Sequence, residues 1–237
     1  MISILMPIYN GKEFLQESVA SVINQTYKEW ELLIGINGLS VEDNNEIKNI
    51  IKELNDDRIA TYSFDFKGKV KTLNELVKHC KYDLICLLDV DDYWFPEKLE
   101  KQLPYMEKYS VVGTDAIYFG DKDGYSPGIF LGELPYAIFS CQNPIINSSV
   151  MLHKCDAIWK EEWEGLDDYN LWVHLANKDK ILFNIPEVYT KHRIHGGSYY
   201  NKDNDELRLK LRDKLPKLDE ALIWFLTILR DEKKWKL

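Results

Sequence analysis

With 237 residues, 45% hydrophobic, 13% aromatic and 29% charged, the chain has the make-up of a globular protein with one large domain or two small ones. A net charge of −9 and a pI near 5.1 count against a nucleic-acid partner, because a phosphate backbone wants a basic face. No apolar run approaches the ~20 residues of a membrane span, no signal-peptide pattern opens the chain, and Cys80, Cys86, Cys141 and Cys155 lack metal-ligand spacing, so the expected setting is reduced and cytoplasmic.

Taken in order, Ile2-Ser-Ile-Leu-Met6 reads as a short strand stopped by Pro7 and the turn-forming Asn10-Gly11. Phe14, Leu15, Val19, Val22 and Ile23 mark one face of a helix ending near Asn24. A second strand at 31–36 stops at Asn37-Gly38. Ser40 with Asp43 then starts a helix whose stripe is Ile47, Ile50, Ile51 and Leu54. A third strand at 59–62 and a helical stripe of Leu73, Leu76, Val77 and Cys80 follow.

Leu84 to Leu88 is an apolar strand that runs straight into Asp89, Asp91 and Asp92, and Pro96 suits the first turn of a following helix. Carboxylates at the end of a buried strand are costly without a partner, and a hard divalent cation is a natural one. The plainer alternative is a polar turn that caps the next helix, with Asp92 as the cap. Four strands alternating with helices predict an α/β fold: a mostly parallel sheet with helices on both faces. Ligands of such sheets bind outside the carboxyl ends of the strands. Pro7 to Asn10, Asn37-Gly38, 67–71 and 89–92 fall there. An aromatic, an amide, cations and acids on one rim suit a base, a ribose and a metal-bound diphosphate.

After Gly113 the pattern loosens. A strand is expected at 111–119, a turn at 120–124, no clear period at 125–147, and another strand at 148–153. A helix is expected at 167–176, burying Leu171, Trp172 and Leu175, then a strand at 181–185. The paired glycines in 191–198 suggest a mobile loop, and Pro104 should end or bend the helix that begins at Pro96. The tail 201–237 is charged and helical. Its apolar stretch 221–229 is too short to span a bilayer and is expected to pack on its own domain, with a dimer or a peripheral membrane contact as the alternatives.

Several motifs in order resemble glycosyltransferase family 2. They are Met6-Pro-Ile-Tyr-Asn10, Ser21-Val-Ile-Asn-Gln-Thr-Tyr27 followed by Trp30-Glu-Leu-Leu-Ile34, Gly68 to Asn74, Asp89-Val-Asp-Asp92, Asp167 to Trp172, and Arg193 to Ser198. The resemblance covers about residues 2–198 and implies a GT-A fold. Residues 1–200 would be the catalytic domain, with 1–112 binding the nucleotide sugar and 113–200 the acceptor, and 201–237 a helical extension. The implied activity is inverting, metal-dependent, non-processive transfer from a nucleoside-diphosphate sugar, a UDP-hexose first, to a glycan or glycoconjugate hydroxyl. Mn²⁺ or Mg²⁺ is the implied cofactor.

The residue roles follow from the matched motifs. Asp91 is the expected metal ligand, Asp89 holds the ribose or a metal-bound water, and His195 is a further ligand or a diphosphate contact. Pro7, Tyr9, Asn10, Asn37, Asn74 and Arg193 are expected around the donor, and Lys69 or Lys71 supplies positive charge where many relatives carry Arg-Asn at the place of Leu73-Asn74. Asp168 is the expected general base, with Asp167 the alternative; its plainer role is a helix N-terminal carboxylate. His79, His153 and His174 are expected to be ordinary residues. Two other readings stay open: a sugar-phosphate nucleotidyltransferase, and a non-catalytic nucleotide-sugar or glycan-binding module. The first lacks its glycine-rich, arginine-containing loop here, and the intact acids weigh against the second.

Overall fold

Alternating apolar runs and stripes build the first half. In the structure, a computed structural model that describes residues 1–121, 123–196, 205–212 and 214–215, strand β1 (Ile2–Ile8) lies between β2 (Trp30–Asn37) and β4 (Leu84–Leu87). Strand β3 (Ile59–Phe64) flanks β2, and all four are parallel. Along β1, Ile2, Ile4, Met6 and Ile8 face one core with Val19 and Val22 of α1 (Leu15–Ile23) and Ile47 of α2 (Val41–Leu54). Leu5 faces the other, with Val70, Leu73 and Leu76 of α3 (Lys69–His79). Successive strand residues point to opposite faces, so a sheet covered on both reads as continuous apolar runs.

The second half mixes directions. Strand β8 (Met151–His153) runs antiparallel between β4 and β6 (Val111–Gly120), and β9 (Leu182–Ile194) runs parallel to β6. The short strands β5 (Tyr93–Trp94) and β7 (Gly132–Glu133) both pair with β9. The order is β3-β2-β1-β4-β8-β6-β9-β5. Helices α4 (Lys98–Gln102), α5 (Asp167–Ala176) and α6 (Asp205–Arg212) complete the described α-helices, beside several short 3-10 turns. No helix among the described residues is long and apolar enough to cross a membrane.

Four local expectations need correction. Pro7 does not stop β1, because the ladder to β4 ends at Leu5↔Leu87 and a missing N–H beyond it leaves no partner short. Pro96 does not open a helix: β5 intervenes, and α4 starts at Lys98 with Glu97 as its N-cap residue. Residues 191–194 are strand, not loop, since β9 stays paired with β6 up to Ile194. Asp92 caps nothing and is buried. The expected bend at Pro104 is present, for α4 ends at Gln102 and tightens into a 3-10 turn, Leu103–Glu107. Residues 197–198 of the expected mobile loop, and the apolar stretch 221–229, lie outside the described residues.

Lys98 is fully buried, with its ammonium 2.6 Å from Gln102 Oε1 and 4.1 Å from the Trp94 ring centre. Gln102 in turn donates to the Val112 and Ser149 carbonyls at 2.7 and 2.8 Å, so this pair braces the turn around Asn147–Ser149. Burial pushes the Lys98 pKa down to about 8. The unfolded chain therefore holds one more proton between about pH 8 and the ordinary lysine value of 10.5, and stability rises with pH across that window. Urea unfolding at pH 7.5, 8.5 and 9.5 should show the wild type gaining stability relative to Lys98→Met as pH rises; parallel curves would mean that Lys98 does not titrate there.

Candidate active site

After Leu87 the chain leaves the sheet in a tight turn, in which the Leu88 amide still donates to the Leu5 carbonyl and the Asp92 amide donates to the Asp89 carbonyl. The turn sends three carboxylates to three partners. Asp89 meets the Lys69 ammonium at 2.8 Å and accepts from Asn147 Nδ2 at 3.0 Å, while its own amide donates to Ser148 Oγ. Asp91 lies 3.0 Å from His195 Nε2. Asp92 lies 3.1 Å from His192 Nδ1 through both oxygens and accepts from the Arg193 amide at 2.8 Å.

Charge sorts these groups. Burial would raise Asp89, but the Lys69 ammonium outweighs it and holds the carboxyl below its usual range. Among the described residues no ammonium meets Asp91, and burial with the neighbouring Asp92 and Asp89 pushes its pKa up to about 6. Burial alone would lower His192; Asp92, ahead of Asp91 and Asp89, instead lifts it to about 9.

Lys69 opens α3 and is also where the second half arrives. Burial disfavours its charge, yet Asp89, Asp167 and Asp168 together raise its pKa. Asp168 accepts from Asn143 Nδ2 at 3.0 Å and from the Tyr169 amide at 2.6 Å. Burial raises the pKa of both α5 acids, Asp167 to about 6, while Lys69 opposes the rise. Among the described residues, the buried acceptors Asp167 Oδ2 and Asn147 Oδ1 meet no hydrogen-bond donor.

The remaining expected residues divide. Tyr9 and Asn10 are exposed at the end of β1, with the Lys67 ammonium 5.2 Å from the Tyr9 ring centre. Lys71 sits over Phe66 in the first turn of α3, and Pro7 is buried beneath the rim. Asn37 is also beneath it: its amide donates to the Ile8 carbonyl at 3.0 Å and accepts from the Gly68 amide at 3.1 Å, tying β1 and β2 to α3. Asn74 clamps the backbone of Trp159 through both ends of its amide. Both asparagines are therefore braces here, where contact with a donor was expected. Arg193 is held beside the acidic turn. Its guanidinium lies between Phe14 and Phe119, donates to the Asp91 carbonyl at 2.8 Å and pairs with Glu17.

Sequence reasoning missed the Asp92–His192 pair, and also Asn143, Asn147, Ser148 and Glu164. The asparagines and the serine sit in or beside the stretch that lacks a period, so no pattern singled them out. His192 had one available signal, a position two residues from Ile194 on what is a continuous strand.

A divalent cation is the partner that the acids were expected to hold. Among the described residues, no three His, Cys, Asp or Glu side chains converge as a ligand set. The Asp91–His195 pair nevertheless fits one as a partial site. Its oxygen and nitrogen donors suit a hard or borderline cation, and the raised pKa of Asp91 marks a place short of positive charge. Asp89 fits less well, because Lys69 and Asn147 already hold both of its oxygens.

The family model described as "Glycosyl transferase family 2" matches residues 3–159. A relative from Escherichia coli, the UDP-Glc:alpha-D-GlcNAc-diphosphoundecaprenol beta-1,3-glucosyltransferase WfgD, is 36% identical over 229 residues, covering 88% of this chain and 83% of its own. The structure of S. aureus TarS 1–349 in complex with UDP-GlcNAc superposes with a TM-score of 0.70 at 15% identity, covering 94% of this chain and 69% of that one. The mannosyltransferase PcManGT from Pyrobaculum calidifontis in complex with GDP-Man and Mn²⁺ gives 0.68 at 11% identity, covering 95% and 68%. The two structures share the fold, which is GT-A as expected.

The buried Asp92–His192 pair yields a direct test. Asp92→Asn removes the main charge that lifts His192, so an NMR titration of the imidazole should show its pKa falling clearly from about 9. The variant should also lose about 2 kcal/mol of stability near neutral pH, the scale of a hydrogen bond to a charged group. A titration midpoint left near 9 would assign the shift to other groups.

Proposed function

The chain belongs to glycosyl transferase family 2 and is a glycosyltransferase, and from that premise we propose that it transfers a hexose from a UDP-sugar to a hydroxyl of a glycan or glycoconjugate. Transfer is by single displacement with inversion, one sugar at a time. The observation that carries this reading is the meeting at one strand end of the Asp91–His195 pair, the Asp89–Lys69 pair and the α5 acids. Residues 1–112 hold the nucleotide sugar and residues 113–200 face the acceptor, with His195 reaching back to the donor side.

Tyr9 borders the base at the open end of β1, with Asn10 beside it, and Lys67 and Lys71 lend positive charge to that rim. Bound by Asp91 and His195, Mn²⁺ or Mg²⁺ would neutralise charge on the diphosphate leaving group. Asp168 removes the proton from the acceptor hydroxyl as that oxygen bonds to the anomeric carbon. The bond from that carbon to the diphosphate oxygen breaks on the opposite face, and its electron pair leaves with UDP. A carboxylate whose affinity for protons is raised by burial is suited to this task. The buried acceptors Asp167 Oδ2 and Asn147 Oδ1 suit hydroxyl donors of a sugar.

The relative's name supplies the probes. WfgD is named for UDP-Glc and a GlcNAc-diphosphate lipid, and TarS was solved with UDP-GlcNAc. UDP-glucose and UDP-GlcNAc are therefore the first donors to assay, with a GlcNAc-diphospholipid as acceptor.

Two experiments test the reading. Asp168→Asn keeps the shape of the side chain but cannot take a proton, so transfer should fall at least ~10²-fold with near-normal UDP-sugar binding. Full activity would move the base to Asp167 or elsewhere, and a wild type that binds donors without transferring or hydrolysing them would be a binding module. Calorimetric titration of UDP should show much tighter binding with Mn²⁺ than after chelation, and Asp91→Asn should abolish the difference. Equal affinity in both buffers would remove the metal from the mechanism.

A further inference from the structure

Helix α3 has no cap of its own. Its N-cap residue is Gly68, which has no side chain and stands at φ +130°, where other residues are strained. The orphan amides of the first turn are met from the other half of the molecule. The Glu164 carboxylate accepts from the Lys69 amide at 2.7 Å and from the Val70 amide at 3.0 Å, across 95 and 94 residues of sequence. Charge and helix dipole favour this contact together.

Glu164 also stands at the entrance to α5. Gly165 follows at φ +96°, its amide donates to Asp167 Oδ1 at 3.2 Å, and Asp167 and Asp168 open the helix. Lys69 is thus gripped twice by the same part of the chain. Its backbone is held by Glu164, and its ammonium is drawn toward Asp167 and Asp168 while bonded to Asp89. An ordinary capping serine on α3 would satisfy the amides without fixing where α5 lies. A carboxylate on the segment leading into α5 does both.

We propose that Glu164 is a positioning residue for sugar transfer: by holding the first two amides of α3, it fixes the separation between the Lys69–Asp89 pair and the carboxylates of α5. The inference rests on the proposed role of Asp168. Glu164 touches neither substrate nor reacting atoms in this scheme, and acts only through the placement of α5 against α3. The donor's nucleotide end centres on Tyr9 and Asp91, which other elements carry, and Lys67 and Lys71 reach that rim on long side chains from beside and within the first turn of α3, so its affinity depends on Glu164 far less than kcat does.

The test separates placement from simple stability. Glu164→Gln keeps volume and one acceptor, but turns an amide NH₂ toward the second helix N–H. At a temperature well below its own melting point, kcat for UDP release from UDP-glucose, with a GlcNAc-diphospholipid as acceptor, should fall about 10- to 100-fold, the scale expected for a misplaced catalytic group. UDP affinity should stay within about twofold of wild type. Glu164→Asp keeps the charge with a shorter reach; it should lower kcat less, and it serves if Glu164→Gln does not fold. An unchanged kcat in a folded variant overturns the inference and leaves the proposed function standing. So does a loss of kcat matched by a loss of UDP affinity, which means general disruption. A wild type that releases no UDP from either donor overturns the proposed function, and this inference with it.

Discussion

The ammonium of Lys69 is the constraint on which the centre of the molecule depends. Asp89 comes from the first half of the chain and Asp167 and Asp168 from the second; Asp167 is buried beside that ammonium and the other two are half-buried. Three carboxylates in such a place would repel one another and take up protons. One cation among them lets Asp89 remain ionised and limits the rise at the other two. The sequence places this lysine in the first turn of α3 because Gly68 can turn the chain there, and Glu164 holds the turn. Fold and chemistry are joined at that residue.

A second charge balance lies on the other side of the same turn. Asp92 and His192 tie the acidic turn to β9, and Arg193 seals the outside between Phe14 and Phe119. Among the described residues, Asp91 lies between the two arrangements with His195 beside it. The two neighbours of Asp91 in the motif are thus structural supports as much as functional groups. Their engagement leaves a single carboxylate in the turn still short of positive charge.

What the sequence made legible follows from physical regularity. Strands β1, β2 and β4 are covered on both faces and read as apolar runs, while α1, α2 and α5 carry stripes that match their buried sides. The acids of the turn and the start of α5 were legible because their spacing is local. The far end of β9 was not, because Lys191 to His195 is polar and borders glycines, which mimics a loop. Its strand character comes from β6 and β5, distant in sequence. Residues 125–147 carry no period for a related reason. Apart from the short β7, several of their carbonyls are met by side chains rather than ladders, as when buried Asn184 donates to both Phe130 and Pro144. Asn37 and Asn74 were legible as polar residues near a site, but not as braces, because a brace is defined by its distant partner.

The length of β9 has a bearing on how the chain assembles. One uninterrupted strand pairs with β7 near its start, crosses β6 through a register shift at Thr114–Ala116, and reaches Asp92 at its end. A slip of one residue anywhere along it would turn every side chain to the opposite face. His192 would leave Asp92, the Arg193 guanidinium would lose its aromatic slot, and Asn184 would abandon the carbonyls it satisfies. A nascent chain that pairs wrongly there is thereby caught three times over, once near the start of the strand and twice at its far end. The strand proofreads its own alignment, and only the correctly threaded polypeptide completes the turn that carries Asp91.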